Sequence, residues 1–357
     1  MTENGAFAAK DLERLDPAGM LRAVLSLGDQ ARKGYEIGKE TSPLPDALGV
    51  TSIAVCGMGG SGIAGDVLRA LYRERLGVPL TVVKEPLLPG FCGRDSLVVC
   101  SSYSGETSET LECYEQAAER GCRVIAVTSG GELGRRATER GAAVITVPDD
   151  APAPRAAFGY LVFAPIGAFE AMGVIPTVAE DMVETVRVLA ELSGDLGPDQ
   201  AGNPAVALAR DLAGKVPVVW GAEGVGSVAA SRWKTDLNEN AKVPAFASSL
   251  PELDHNEVVG WSEDAGEAFG LIALRTNGEH PDVAARFPVS VEIAESAGLS
   301  AREVWGRGDS AMAQLLSLVM LGGATSVYLA FERGVDPTPI EAIDRLKRAL
   351  SEHRNTQ

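Results

Sequence analysis

Two short stretches combine residue types and spacings that could bind an anion. The first, "GMGGSGIAGD", sets Gly57, Gly59, Gly60 and Gly62 around Ser61, between an apolar run, "SIAVC", and a helical one. Glycines there remove side chains, so backbone N–H groups at a helix start can meet a phosphate. Gly57, Gly59 and Gly62 also spell G-x-G-x-x-G, and Glu85 follows 23 residues after Gly62, the order of a dinucleotide fingerprint. The second stretch, "CSSYSGETSETLE" (100–112), carries hydroxyls on Ser101, Ser102, Tyr103, Ser104, Thr107, Ser108 and Thr110. A helix cap needs one hydroxyl, not a cluster. Ser102, Ser104 and Thr107, on a loop turning at Gly105, are spaced to ring a phosphate monoester, with Gly60 and Ser61 joining from the first turn. A dinucleotide does not ask for this second loop; a sugar phosphate does.

These loops need elements to hold them. Strand-like runs at 52–56, 80–84, 96–101, 122–128 and 142–148 alternate with helical patterns, the signature of a parallel α/β sheet. In such a sheet, ligands sit beyond the carboxyl ends of the strands, where both loops fall. After "VPDDAPAPRAAFGY", helical runs fill 158–212. The strand rhythm then restarts at 216–220, 269–275 and "FPVSVEIA" (287–294), and helices follow at about 311–333 and 338–352. Writing "VCGMGGSG" (55–62) over "VWGAEGVG" (219–226) places Gly57, Gly60 and Gly62 on Gly221, Gly224 and Gly226, an internal repeat in which Ser61 becomes Val225.

The segments "GMGGSGIAGD", "SYSGET", "APRAAFGYL", "RWKTDLNENAKVPAF", "PELDHNEVVGW" and "DPTPIEAIDRLK" occur in that order from about residue 50 to 350. The loops resemble the sugar isomerase (SIS) domain, and the ordered set resembles the bifunctional phosphoglucose/phosphomannose isomerase family. The resemblance implies an α/β fold of two SIS-type subdomains, each a mostly parallel, doubly wound, flavodoxin-like sheet flanked by helices. The expected division is an N-terminal helical segment (1–49), a first subdomain with the phosphate loops (50–150), a helical connection (151–213), a second subdomain (214–300) and C-terminal helices (301–357).

The resemblance also implies roles. Glu239, by itself a surface acid, becomes the base that moves a proton between C1 and C2. His255, set among acids, becomes the proton donor that opens the pyranose ring, contributed across a homodimer interface. Arg155, held by prolines at a domain edge, stabilises an enediolate oxygen or the phosphate. Lys347, otherwise a solvated helix lysine, assists ring opening, and Thr338 lies where a site would tolerate either configuration at C2. The implied reaction interconverts glucose 6-phosphate and mannose 6-phosphate with fructose 6-phosphate through an enediol, with no metal and no other cofactor. One departure stands out: "SGET" replaces the "SGNT" expected of the loop, so the Glu106 side chain must turn away from the phosphate.

Composition narrows the field. A net charge of −17 argues against nucleic acid. Five cysteines without a C-x-x-C, and three distant histidines, favour a reducing cytoplasm and give no metal-site spacing. The opening "MTENGAFAAKDLERLD" does not read as a signal peptide. "AMAQLLSLVMLGGATSVYLAF" (311–331) is long enough to span a bilayer, but its polar residues suit a core or dimer-interface helix, with a partner subunit covering the surplus. The alternatives are a non-catalytic SIS-type sugar-phosphate sensor, an isomerase of another phosphosugar such as an amino sugar phosphate, and a nicotinamide-dependent oxidoreductase.

Overall fold

The computed structural model of the chain describes residues 9–261 and 268–355. Three helices, α1 (Ala9–Leu15), α2 (Met20–Leu25) and α3 (Leu27–Glu40), precede the first sheet. That sheet comprises β1 (Ser52–Cys56), β2 (Leu80–Val83), β3 (Ser96–Ser101), β4 (Arg123–Thr128) and β5 (Ala143–Thr146). Its order is β2-β1-β3-β4-β5 and every pairing is parallel. All residues of β1 and β3 are buried, so these strands read as continuous apolar runs rather than alternating ones. The crossover helices are α4 (Gly59–Tyr72), α5 (Ser108–Glu119) and α6 (Gly131–Glu139).

Three helices, α7 (Phe158–Ala171), α8 (Ala179–Asp195) and α9 (Pro204–Leu212), lead to the second sheet. It contains β6 (Val216–Ala222), β7 (Phe246–Leu250), β8 (Phe269–Arg275) and β9 (Ser300–Trp305), in the order β7-β6-β8-β9, again all parallel. Helix α10 (Val225–Glu239) follows β6, as α4 follows β1; α11 (Pro281–Ala284) and α12 (Arg286–Ser296) follow β8. The chain ends in α13 (Ala311–Glu332) and α14 (Glu341–Asn355). The repeat legible in the sequence is thus a repeat of topology. In both copies the first and third glycines nearly touch. A Cβ on Gly62 would lie 2.5 Å from the Gly57 carbonyl oxygen, and one on Gly221 would lie 2.2 Å from that of Gly226.

Two sequence-based expectations fail. "FPVSVEIA" is not a strand but part of α12. Its buried residues, Phe287, Ser290 and Ala294, follow helical spacing, while Val289 and Ile293 stay exposed. The outer strands of this sheet are instead "FASSL" (β7) and "SAREVW" (β9), whose partly exposed edge positions require no apolar run. The second sheet therefore extends to Trp305. The run 311–331 forms α13, but no surplus is left for a partner to cover, because the helix is buried within its own chain against α8, α9 and α10. Gly322 permits the closest approach: a Cβ there would lie 2.3 Å from Trp233 Nε1, which donates to the Leu318 carbonyl at 2.7 Å. This contact seats α10, the helix that ends in Glu239.

Candidate active site

In the β2-β1-β3 order, the connections from β1 and β3 leave to opposite sides, and a crevice opens beyond their carboxyl ends. Cys56 pairs with Cys100, so the glycine turn and the hydroxyl loop leave from neighbouring positions. The two loops are tied together: Tyr103 N–H donates to Ser61 Oγ at 3.3 Å, and a Cβ on Gly57 would lie 2.9 Å from the Ser101 carbonyl oxygen. Ser102 Oγ and Thr107 Oγ1 share a hydrogen bond of 2.9 Å, and Ser104 Oγ accepts from Glu106 N–H at 3.3 Å. Gly105 turns the loop with φ 72°, and a Cβ there would lie 2.1 Å from the Gly130 carbonyl oxygen. The Glu106 carboxylate turns away to accept the N–H of Glu132, at the positive end of α6, at 2.9 Å. The departure from the expected loop sequence is thereby accommodated.

Arg155 comes to this crevice on a short 3₁₀ turn, Pro154–Ala157, and is 4% exposed. Gly60 lets it in, since a Cβ on Gly60 would stand 3.1 Å from Arg155 Cα. The guanidinium is fixed on four acceptors. Nε donates to Asn240 Oδ1 at 2.7 Å, and one terminal nitrogen donates to the Pro337 and Thr338 carbonyls at 2.8 and 2.9 Å. The other terminal nitrogen reaches Glu239 Oε2 at 3.4 Å. A guanidinium has five N–H groups, so among the described residues one is left over, on the nitrogen beside Glu239. Thr338 Oγ1 is buried with no partner among the described residues.

A second layer fixes the first. Arg232 donates to the Arg155 carbonyl at 2.8 Å and to Asp236 Oδ2 at 2.9 Å, and lies 4.7 Å from the centre of the Phe158 ring. Burial pushes the Asp236 carboxyl up to about 6, against the pull of Arg232. Asn240 Nδ2 donates to Ser326 Oγ on α13 at 2.9 Å. The Lys242 ammonium donates to the Glu239 carbonyl, and to that of Pro337 at 2.9 Å. Burial, with Arg155 nearby, lowers the Lys242 pKa. Lys242 also holds φ 57°, a strained value for a residue with a side chain.

The curated relatives share this chain nearly end to end. A bifunctional phosphoglucose/phosphomannose isomerase from Caldicellulosiruptor bescii is 36% identical over 93% of this chain and 99% of its own. The chain belongs to the bifunctional phosphoglucose/phosphomannose isomerase family. The Aquifex aeolicus member is 35% identical, covering 89% of this chain and 94% of its own. The SIS domain family matches residues 49–175, and the bacterial phospho-glucose isomerase C-terminal SIS domain matches 201–350. In fold, the chain is similar to a hypothetical protein from Thermus thermophilus, with a TM-score of 0.72 at 15% identity over 97% of this chain and 92% of that one.

Of the family residues picked from sequence, the structure gathers Gly60, Ser61, Ser102, Ser104, Thr107, Arg155, Glu239 and Thr338 around one crevice. Two stand apart. His255 ends a 3₁₀ turn after β7, exposed, and no hydrogen bond or ion pair among the described residues joins it to Glu239 or Arg155. Lys347 sits on α14, whose residues are exposed through Leu350, and it has no such link either. Sequence reasoning missed Arg232, Asp236, Asn240 and Lys242 as parts of the site. The signal was a charged pair four apart on a helix otherwise committed to the core, and a lysine three residues after the acid.

Proposed function

We propose that the protein interconverts glucose 6-phosphate and mannose 6-phosphate with fructose 6-phosphate by proton transfer between C1 and C2. Backbone N–H groups at the start of α4, with Ser61, Ser102, Ser104 and Thr107, hold the phosphate. Glu239 removes the C2 proton of the open-chain aldose, the electron pair forms the C1–C2 double bond, and the carbonyl oxygen at C1 takes up the charge. The C2 hydroxyl proton then passes to the C1 oxygen, which shifts the charge to the C2 oxygen, and Glu239 returns its proton to C1 as the C2 carbonyl forms, leaving the ketose. Glucose and mannose derivatives differ only at C2, which is planar in the enediol, so one base serves both.

The observation that carries this reading is the contact of Arg155 with Glu239. A cation anchored on four sides keeps one N–H beside the base, where an enediolate oxygen would lie, and it need not reorganise as charge develops. Tolerance of either configuration at C2 is assigned to Thr338, whose buried hydroxyl has no partner among the described residues. His255 and Lys347 complete the site by opening the ring, His255 arriving from a second copy of the chain. Their exposure and their separation from the Glu239 cluster within one chain support a shared site. So does the bare apolar row Ile343, Leu346 and Leu350 on α14. Thiols that are all free among the described residues fit work in the cytoplasm.

The test is to incubate the purified protein with fructose 6-phosphate in D2O and follow the sugars by NMR. Deuterium appearing at C2 of both aldose phosphates, and at C1 of the ketose, is the expected result. Binding without exchange would reduce the protein to a sugar-phosphate sensor.

A further inference from the structure

The second sheet has its own crevice beyond β6 and β8, and it opens into a cavity of about 580 Å³. Strand registers make it the counterpart of the first. Cys56 corresponds to Trp220 through the glycine repeat, Cys56 pairs with Cys100, and Trp220 pairs with Ala273. Residues 102–107, "SYSGET", therefore correspond to 275–280, "RTNGEH". Gly105 falls on Gly278 and Glu106 on Glu279, and Thr107 and His280 each stand at the N-cap position of the helix that follows, where only the His280 side chain accepts a helix N–H, that of Asp282.

Three features of the cavity point to an anion. Helix α10 begins at its wall, where Ser227 Oγ takes the Gly224 N–H at 3.1 Å, and no acceptor among the described residues takes the N–H groups of Val225, Gly226 or Ser227. Thr276 lines the cavity, is 8% exposed, and its hydroxyl has no hydrogen-bond partner among the described residues. Arg73 and Arg75 also line the cavity, each held only loosely, at 3.7 Å from Glu74 and 3.9 Å from Asp181. Of the four acids on the lining, Glu279 is spent on Arg275 at 2.9 Å, and Glu74, Glu223 and Asp309 are exposed.

We propose that this cavity is a second binding site for a small phosphomonoester, separate from Glu239. The inference rests on reading the first crevice as a phosphate site. Two hydroxyls of the first crevice are missing here, since Val225 stands for Ser61 and Arg275, held by Glu279 and Glu303, stands for Ser102, so the anion would be held by the α10 N–H groups, Thr276 and Arg73.

The test is calorimetric titration of the full-length protein with glucitol 6-phosphate, which has no carbonyl and cannot be isomerised, and separately with inorganic phosphate. Wild type should bind two equivalents of glucitol 6-phosphate per chain. Thr276→Val, which keeps the side-chain shape, and Arg73→Gln, an exposed change, should each weaken one of the two. About tenfold is expected for Thr276→Val, the loss of one hydrogen bond to a charged group. Isomerisation should be unchanged in both variants. Equal affinity for inorganic phosphate at that site would assign recognition to the phosphate alone, and tighter glucitol 6-phosphate would add the polyol; both support the proposal. A single equivalent, untouched by Thr276→Val and Arg73→Gln but lost in Ser104→Ala/Thr107→Val, overturns it. Binding lost in Thr276→Val and untouched in Ser104→Ala/Thr107→Val would keep the second site and remove the phosphate role of the first.

Discussion

Arg155 and Glu239 show how a buried cation is made useful. Its other acceptors, one amide and two carbonyls, are neutral, so among the described residues Glu239 is its one anionic contact, and Glu239 stays partly exposed. Glu239→Gln keeps the shape and removes the base. We expect kcat to fall by about 10² to 10⁴ while glucitol 6-phosphate still binds. Turnover within a few-fold of wild type would exclude Glu239 from proton transfer. One turn earlier on α10, Asp236 makes a prediction about pH. Its carboxyl is raised to about 6 in the folded protein, from an ordinary 3.8, chiefly by burial. The folded state thus holds this proton more tightly than the unfolded one. The contribution to stability is full below pH 4 and is lost as pH rises towards 6, by roughly 3 kcal/mol at most. Asp236→Asn does not titrate. The unfolding free energy of wild type should therefore decline relative to Asp236→Asn between pH 4 and 6, as urea denaturation at several pH values would reveal. A difference that is flat across that range would refute the raised carboxyl.

At the scale of elements, the crevice is made by two strand-to-helix turns whose geometry depends on glycine. Gly60 admits the Arg155 backbone, and Gly105 packs against Gly130. The hydroxyl loop between them has its own partners, Ser102 with Thr107 and Ser104 with Glu106 N–H, which preorganise it before a ligand arrives. On the proposed reading these hydroxyls hold a phosphate that does not react, so their binding should be nearly uniform between ground and transition states. Ser104→Ala combined with Thr107→Val should raise KM for fructose 6-phosphate at least tenfold and change kcat by much less. An unaltered KM in the coupled assay would leave the loop only a structural role.

For the whole molecule, the two sheets join through α4 and α10, and the Glu239 cluster lies where both sheets, α13 and the 336–338 segment converge. His255 and Lys347 are absent from that convergence. Mixing Glu239→Gln chains with His255→Ala chains tests whether a second copy supplies the histidine. In a mixed dimer one site would hold both native residues and the other both altered ones, so activity should return on subunit exchange. If mass spectrometry shows exchange and activity stays absent, both residues act within one chain.

The sequence by itself determined the α/β class, the repeat, and the boundaries of β3 and β8. Buried parallel strands must be apolar throughout, and glycine turns have few substitutes. It also carried the family's ordered motifs and, with them, most of the crevice residues. It misplaced the edge of the second sheet, because a strand at an edge has no need of an apolar run, and β-branched residues can occupy a half-buried helix such as α12. Only the tertiary structure decided that α13 is buried within its own chain. Only it showed that Glu106 caps a neighbouring helix, and that Arg155 is held by Asn240 and by carbonyls near residue 338. Those partners lie more than eighty residues from Arg155, and packing, rather than local pattern, brings them within hydrogen-bonding distance.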